Sequence, residues 1–252
     1  MKAMILAAGL GERLRPLTET TPKPLLPIAG RPLLVWNLLL LKHHGITEAI
    51  INLHHLGEQI AEALGDGARY GMRLAYSHEP TLLGTGGGIK QAAPYLKDGP
   101  FVVLNGDTLS ECDLTALLAA HRAGKAPATL AVREDPDAAR WGALTLDVRS
   151  RILQIKGEPP IATPTGPALG PFMFAGIHVL EPTVLDLIPP GPGSIMHVYL
   201  SLLRRGGPIQ GYRLSGYWSD IGTPARYAQA QRDVADGLLG LAALTGQARE
   251  GW

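Results

Sequence analysis

The residues of this chain best suited to chemistry on phosphate are a glycine-rich loop carrying arginine, one lysine set between prolines, and two aspartates. The loop reads Leu6-Ala7-Ala8-Gly9-Leu10-Gly11-Glu12-Arg13-Leu14-Arg15-Pro16-Leu17-Thr18 and directly follows the apolar run Ala3 to Ala7. Glycines at such a place let the backbone turn tightly and aim successive N–H groups at an anion, while Arg13 and Arg15 add fixed positive charge. The pattern is neither G-x-x-x-x-G-K-[ST] nor G-x-G-x-x-G, which argues against a P-loop kinase and a Rossmann dehydrogenase. Further on comes Thr21-Pro22-Lys23-Pro24-Leu25-Leu26-Pro27. Prolines on both sides are expected to hold the Lys23 backbone extended, so that its ammonium meets a phosphate with little freedom left to lose. Taken alone this is a surface lysine in a turn; beside the glycine loop the phosphate reading takes precedence.

The carboxylates sit in two further motifs. Asn105-Gly106-Asp107 closes Phe101 to Leu104, the strongest apolar strand in the chain. Open α/β sheets place ligands at the carboxyl ends of such strands, and Asp with Mg²⁺ is a usual partner for phosphate oxygens; an ordinary Asn-Gly-Asp turn is the plain alternative. In Gly216-Tyr217-Trp218-Ser219-Asp220-Ile221-Gly222-Thr223-Pro224, Asp220 stands just before a helix that Thr223 can cap. A fifth motif, Glu79-Pro80-Thr81-Leu82-Leu83-Gly84-Thr85-Gly86-Gly87-Gly88, brings three consecutive glycines to a helix entrance. Bare backbone there lets a flat base lie close, and Glu79 offers acceptors to base or ribose donors. His43-His44 and His54-His55 lack a Cys or carboxylate at ligand spacing, and Ser215 and Ser219 lack a G-x-S-x-G elbow, so neither zinc nor a hydrolase triad has support.

The elements that must position these motifs alternate in type. Ala3 to Ala7, Ala49 to Leu53, Leu74 to Tyr76 and Phe101 to Leu104 read as strands; Leu33 to His43, Glu58 to Leu64 and Ile89 to Tyr95 read as helices. Such alternation implies βαβ crossovers and a doubly wound, mostly parallel α/β sheet. From about residue 125 the pattern turns to strands, at Ala128 to Val132, Ala143 to Leu146, Ile152 to Ile155 and Phe172 to Val179. Gly157 to Pro171 is expected to form a long surface loop, Met196 to Arg204 and Pro224 to Asp236 two more helices, and the last dozen residues a weakly anchored tail. One domain over 1–252 follows, with a core at 1–124, a substrate-facing β-rich lobe at 125–215, and a final aspartate strand and helix at 216–252.

Composition removes several classes. The 252 residues carry 23 Lys+Arg against 22 Asp+Glu, a net charge of +1 without the basic surplus of a nucleic-acid binder. With 46% hydrophobic and 18% charged residues the chain is globular rather than disordered. Its 31 glycines and 21 prolines follow no period and point to many loops. A lone Cys112 suits a reducing compartment. The apolar start is broken too early for an export signal, and Leu38 to Leu41 belongs to a core helix. A soluble cytoplasmic protein is expected, a monomer or homodimer, with no nucleic-acid or membrane partner.

With the loop, Lys23-Pro24, Asp107 and Asp220 in this order, the sequence resembles the sugar-1-phosphate nucleotidylyltransferases, whose signature is G-x-G-x-R-L-x-P-L-T followed by K-P. The resemblance covers nearly the whole chain. It implies a Rossmann-like nucleotide core with a smaller sugar-binding lobe. It also implies transfer of a nucleotidyl group from an NTP, UTP or GTP, to a sugar-1-phosphate, with Mg²⁺ held by Asp107 and Asp220. Nucleotide contacts carry over to Ala8, Gly9, Leu10, Gly11, Glu12, Arg13, Lys23, Glu79, Gly84, Thr85 and Gly86, with Arg13, Lys23 and Asp107 as catalytic groups. On the sugar side the resemblance implies Asn105, Gly142 of Trp141-Gly142-Ala143-Leu144, Lys156 of Ile155-Lys156-Gly157-Glu158-Pro159, and Gly176 of Phe174-Ala175-Gly176-Ile177. Many relatives have Glu-Lys-Pro where this chain has Lys156-Gly157-Glu158-Pro159. Common relatives also have Gly-Gly at Ala7-Ala8 and Thr at Glu12, whose side chain is therefore expected to point away from a triphosphate. The Ala-Ala-Gly-x-Gly-Glu-Arg loop and the Thr-Gly-Gly-Gly segment look most like the N-acetylmuramate-1-phosphate uridylyltransferase branch, which serves peptidoglycan recycling. Heptose- and mannose-1-phosphate guanylyltransferases are similar in the latter segment. A binding homologue without chemistry and a cytidylyl- or molybdopterin-type transferase are the other readings; intact Arg13, Lys23, Asp107 and Asp220 argue against the first, and Trp218-Ser219-Asp220-Ile221-Gly222 against the second.

Overall fold

A computed structural model describes residues 1–159 and 166–240. The fold is mixed α/β with a mostly parallel central sheet. The chain divides into two compact units, one built from Met1–Leu82, Leu104–Cys112 and the described part of Gly216–Trp252, the other from Leu83–Val103 and the described part of Asp113–Ser215.

In the first unit the strands Lys2–Leu6, Glu48–Leu53 and Arg73–His78 run parallel, with Met4 beside Ile50 and Ile50 beside Ala75. Their centres, Ala3-Met4-Ile5 and Ala49-Ile50-Ile51, are buried as continuous apolar runs, the pattern of strands covered on both faces. The connecting helices are Leu33–His43 and Gly57–Leu64. The first is apolar on nearly every side and buries eight of its eleven residues. Two short antiparallel pairs complete the unit, Pro27–Ile28 with Arg31–Pro32 and Thr108–Ser110 with Trp218–Asp220. Ile221 and the helix Pro224–Ala235 are anchored by an apolar cluster that includes Ile28, Leu33, Trp36 and Leu109.

The second unit is the more strand-rich. Its long strand Leu169–Leu180 pairs antiparallel with Ala128–Glu134 and with Leu144–Leu146, while Ile209–Arg213 runs parallel to Ala128–Glu134. Ile152–Ile155 joins Leu144–Leu146. Helices Gly84–Gln91, Leu114–Gly124 and Ile195–Arg204 belong to the same unit.

Two local expectations are corrected. The helix over residues 84–91 begins at Gly84 itself, so the glycines form its first turns instead of preceding it. Lys23 is not extended: it opens a single 3-10 turn, Lys23–Leu25, and the extended residue is Pro22 at φ −63 and ψ 140. The Leu26 N–H donates to the Lys23 carbonyl at 3.1 Å, a local bond that outweighs the bias imposed by the following proline. The loop expected over 157–171 lies partly, and the tail at 241–252 wholly, outside the described residues. Among the described residues no helix is long and apolar enough to cross a membrane.

Candidate active site

The glycine loop leaves the end of the strand Lys2–Leu6 and is held from two sides. The buried Ala7 N–H donates to Asn52 Oδ1 at 2.8 Å, and the Thr18 hydroxyl donates to the Gly11 carbonyl at 2.8 Å. Ala8 is buried between these anchors, whereas Gly9, Glu12 and Arg13 are exposed and Leu10 and Gly11 half-buried. Glu12 to Leu14 make one 3-10 turn.

Asn52 was not foreseen. Its amide nitrogen donates to Glu79 Oε1 at 2.7 Å, and His54 Nδ1 meets the Glu79 carbonyl at 2.8 Å. Glu79, expected to face a base, is 4% exposed and committed at one carboxylate oxygen to Asn52. A relay of buried polar groups thus ties the start of the glycine loop to Glu79. The signal in the sequence was a single amide closing the apolar strand Ala49 to Leu53, since a buried polar side chain requires partners.

The aspartates come together through the antiparallel pair of short strands. Thr108 stands opposite Asp220, and the Ile221 N–H donates to the Asp107 carbonyl at 2.9 Å. The Gly106 N–H donates to the Leu6 carbonyl at 2.9 Å, which fastens the Asn105-Gly106-Asp107 turn to the strand that feeds the glycine loop. Lys23 Nζ lies 2.5 Å from Asp107 Oδ2, with the lysine side chain 10% and the aspartate 33% exposed. Arg226, a residue sequence reasoning passed over, donates from Nη1 to Asp220 Oδ2 at 2.7 Å. It is set there by its helix, whose first turn Thr223 caps by accepting the Arg226 N–H at 3.4 Å. Burial raises the Asp220 pKa above the usual carboxylate value, the Asp107 charge raises it further, and Lys23 and Arg226 pull it back.

Arg13 belongs to the same cluster. A methyl group at Gly222 would stand 2.8 Å from Asp220 Oδ2 and 3.1 Å from Arg13 Nη2, so the bare Gly222 backbone is what lets these two side chains approach. Arg13, Lys23, Asp107 and Asp220 are therefore gathered within the first unit, with Arg226 as a further cation on Asp220. Such a set can grip phosphate oxygens with its cations and share a divalent cation through its carboxylates.

In the second unit the glycine segment packs against backbone. Gly86 N–H donates to the Gly193 carbonyl at 2.8 Å, and a methyl group at Gly87 would fall 2.4 Å from the Gly191 oxygen. Thr85 Oγ1 accepts the Ile195 N–H at 3.0 Å, Gly84 is exposed, and Gly86 is buried. Gly142 and Lys156, both expected on the sugar side, are neighbours, since a methyl group at Gly142 would meet Lys156 Cε at 2.7 Å. Lys156 and Gly157 both have positive φ, 55 and 78, between Ile155 and Glu158, which exchange hydrogen bonds of 2.8 and 3.0 Å. This is the two-residue hairpin turn that demands positive φ at both centres, and Gly157 supplies one of them without strain. Gly176, at φ 75, sits in the register irregularity of the long strand between Phe174 and His178. Asn105 ends its strand, its carbonyl accepting the Thr108 hydroxyl at 2.8 Å.

Comparison with known proteins bears on this arrangement. Residues 2–237 match the family described as Nucleotidyl transferase. The chain is 42% identical over 236 residues to N-acetylmuramate alpha-1-phosphate uridylyltransferase of Neisseria meningitidis, covering 92% of this chain and 97% of that one. It is 36% identical over 253 residues to a mannose-1-phosphate guanylyltransferase of Mycobacterium tuberculosis, covering 98% of this chain and 68% of the relative. A UTP–glucose-1-phosphate uridylyltransferase of Synechocystis is 36% identical over 249 residues, and the chain spans 63% of its length. Among solved structures, a putative glucose-1-phosphate thymidylyltransferase from Bacillus anthracis superposes with a TM-score of 0.80 at 25% identity, over 100% of this chain and 98% of that one.

Proposed function

Because this chain belongs to the nucleotidyl transferase family and is a sugar-1-phosphate nucleotidyltransferase, we propose that it takes UTP and N-acetylmuramate 1-phosphate, releasing pyrophosphate and forming the UDP-sugar. The observation that carries the chemistry is the gathering of Lys23, Asp107, Asp220 and Arg13 at the end of the glycine loop. The choice of base and sugar is supported by the likeness to the Neisseria enzyme along nearly the full length of both chains.

In this reading an oxygen of the sugar phosphate attacks the α-phosphorus of UTP, and the bond from that phosphorus to the bridging oxygen of pyrophosphate breaks. The nucleophile is already an anion, so no residue need remove a proton. Alignment and charge neutralisation remain for the protein to supply. Arg13 and the N–H groups of Ala8 to Glu12 hold the β- and γ-phosphates. Lys23 turns between Asp107 and the α-phosphate. The donor set fits Mg²⁺, since the nearby Asp107 charge raises the proton affinity of Asp220 and a hard cation would relieve that repulsion. Among the described residues no group of three or more His, Cys, Asp or Glu is assembled, and two carboxylates completed by phosphate oxygens and water are the usual protein share of a Mg²⁺ site. Bound by Asp107 and Asp220, Mg²⁺ would neutralise charge developing on the phosphates. Lys156, a neighbour of Gly142, is the residue assigned to the sugar phosphate in this reading. The lone, buried Cys112 supports a reducing, cytoplasmic setting.

The test is pyrophosphate release with Mg²⁺ over UTP, GTP, CTP and dTTP, each against N-acetylmuramate-, N-acetylglucosamine-, mannose-, glucose- and heptose-1-phosphate. UTP with N-acetylmuramate 1-phosphate is expected to have the highest kcat/KM. A preference for GTP with mannose- or heptose-1-phosphate would replace the substrate pair but keep the reaction. Silence across the grid with nucleotide binding intact would point to a binding homologue.

A further inference from the structure

The second unit contains a cavity of about 290 Å³ that shares Gly86 and Gly87 with the glycine segment and otherwise lies outside the motifs above. Its floor is Gly86 and Gly87, and its wall is one stripe of the helix Ile195–Arg204 and its ends, Ser194, Val198, Ser201 and Arg205, with His197 beside it. These positions follow the three- and four-residue spacing of one helix face. Ile188, Pro189 and Pro192 supply an apolar side.

The lining holds an arginine, a histidine and two serines, and no acidic residue. Among the described residues neither Arg205 nor His197 has a carboxylate partner, whereas the adjacent Arg204 is paired with Glu158. A forked guanidinium, an imidazole and hydroxyls around one space are donors for an oxyanion, and the apolar side suits a carbon skeleton. The volume stands at the lower edge of small-molecule pockets, room for a phosphorylated sugar rather than a nucleotide sugar.

The same wall is wired to the glycine segment. Gly193 accepts the Gly86 N–H at 2.8 Å and donates to the Leu83 carbonyl at 2.9 Å, and Ile195 donates to Thr85 Oγ1 at 3.0 Å. Whatever settles Gly193 and Ser194 therefore settles Leu83 to Gly86 as well. We propose that this cavity is a regulatory site for a small phosphate monoester, and that its occupancy changes the affinity of the enzyme for its nucleotide. The coupling rests on the reading of Gly84 to Gly86 as nucleotide contacts; the binding does not.

The probe is glucose 6-phosphate, whose phosphate is not on the anomeric carbon and so offers no acceptor for nucleotidyl transfer. Titrated by calorimetry into enzyme saturated with UTP and Mg²⁺, it is expected to bind one site, with plain glucose silent. Arg205→Ala, and separately Ser201→Leu, which fills the cavity, should each weaken that binding about tenfold or more while leaving kcat at its basal value. Glucose 6-phosphate should shift the UTP KM several-fold in the original enzyme and not in Arg205→Ala. Equal binding by both variants, or no heat at millimolar probe, would overturn the site. Binding that leaves the UTP KM unmoved would overturn its regulatory role.

Discussion

The ammonium of Lys23 and the carboxylate of Asp107 are joined at 2.5 Å across 84 positions of sequence. Each is thus part of the other's electrostatics, and the two should not act independently. Asp107→Asn is expected to lower turnover at least about 10²-fold, because in the proposed reaction Asp107 bears on the reacting phosphates. Lys23→Ala should lower it to a similar degree with little change in melting temperature, since Asp107 is a third exposed and water can solvate it once unpaired. The double variant should lose much less than the product of the two effects. Pyrophosphate release and a thermal melt on all three variants check this; a lost melting transition in Lys23→Ala would return Lys23 to a structural role.

Gly222→Ala is a sharper probe of the same place. The backbone there is not in the left-handed region, so alanine brings no φ strain, and its methyl group would press on Asp220 Oδ2 at 2.8 Å and Arg13 Nη2 at 3.1 Å. Displacing both clamps by a fraction of an ångström should cost about tenfold to 10²-fold in kcat/KM. A melting temperature within a few degrees of the original is expected. Unchanged kinetics would mean that the Arg13 and Asp220 positions are not tied to the reaction.

Much of this was legible from local pattern. Buried apolar runs such as Ala49 to Leu53 announce parallel strands, and the glycine loop and Asp107 both fall where such strands end. What brings Asp220 to Asp107 was not legible: Thr108–Ser110 and Trp218–Asp220 are three residues each, too short for any period to show, and their pairing spans the intervening chain. Arg226 was hidden for a related reason, because an arginine in a first helical turn looks like solvent-facing charge until its partner is located. The glycines at 84–88 were noticed but read for a ligand, and their close approach is in part to the backbone of residues 191–193. Sequence shows that a residue must be small, not what it must be small for.

Asn52 provides a test of the buried relay. Replacing it with leucine keeps the volume but leaves the Ala7 N–H and one Glu79 oxygen without their partner in a buried site. The expected loss is about 2 kcal/mol in denaturant unfolding, larger than an exposed asparagine would give. Together with it the KM for the nucleotide should rise, because the freed Ala7 begins the glycine loop. Stability within a few tenths of the original would show that Asn52 holds neither group.

The pair His178 and Tyr199 sets a pH dependence unconnected with the reaction. Both side chains are fully buried, they share a hydrogen bond through His178 Nδ1, and His178 Nε2 has no partner among the described residues. Burial pushes the imidazole from its ordinary 6.5 down to about 3. An unfolded chain therefore takes up a proton near pH 6.5 that the folded chain refuses until about pH 3. The stability this residue contributes is complete above pH 6.5 and is lost progressively as the pH falls toward 3. Between pH 7 and pH 5 the loss from this one group should be about 2 kcal/mol, by linkage. His178→Leu combined with Tyr199→Phe removes the titrating ring without stranding the phenol, and should flatten the melting temperature over that interval relative to the original chain. An identical slope in the double variant would mean that other groups set the acid sensitivity and that His178 is not protonated on unfolding in this range.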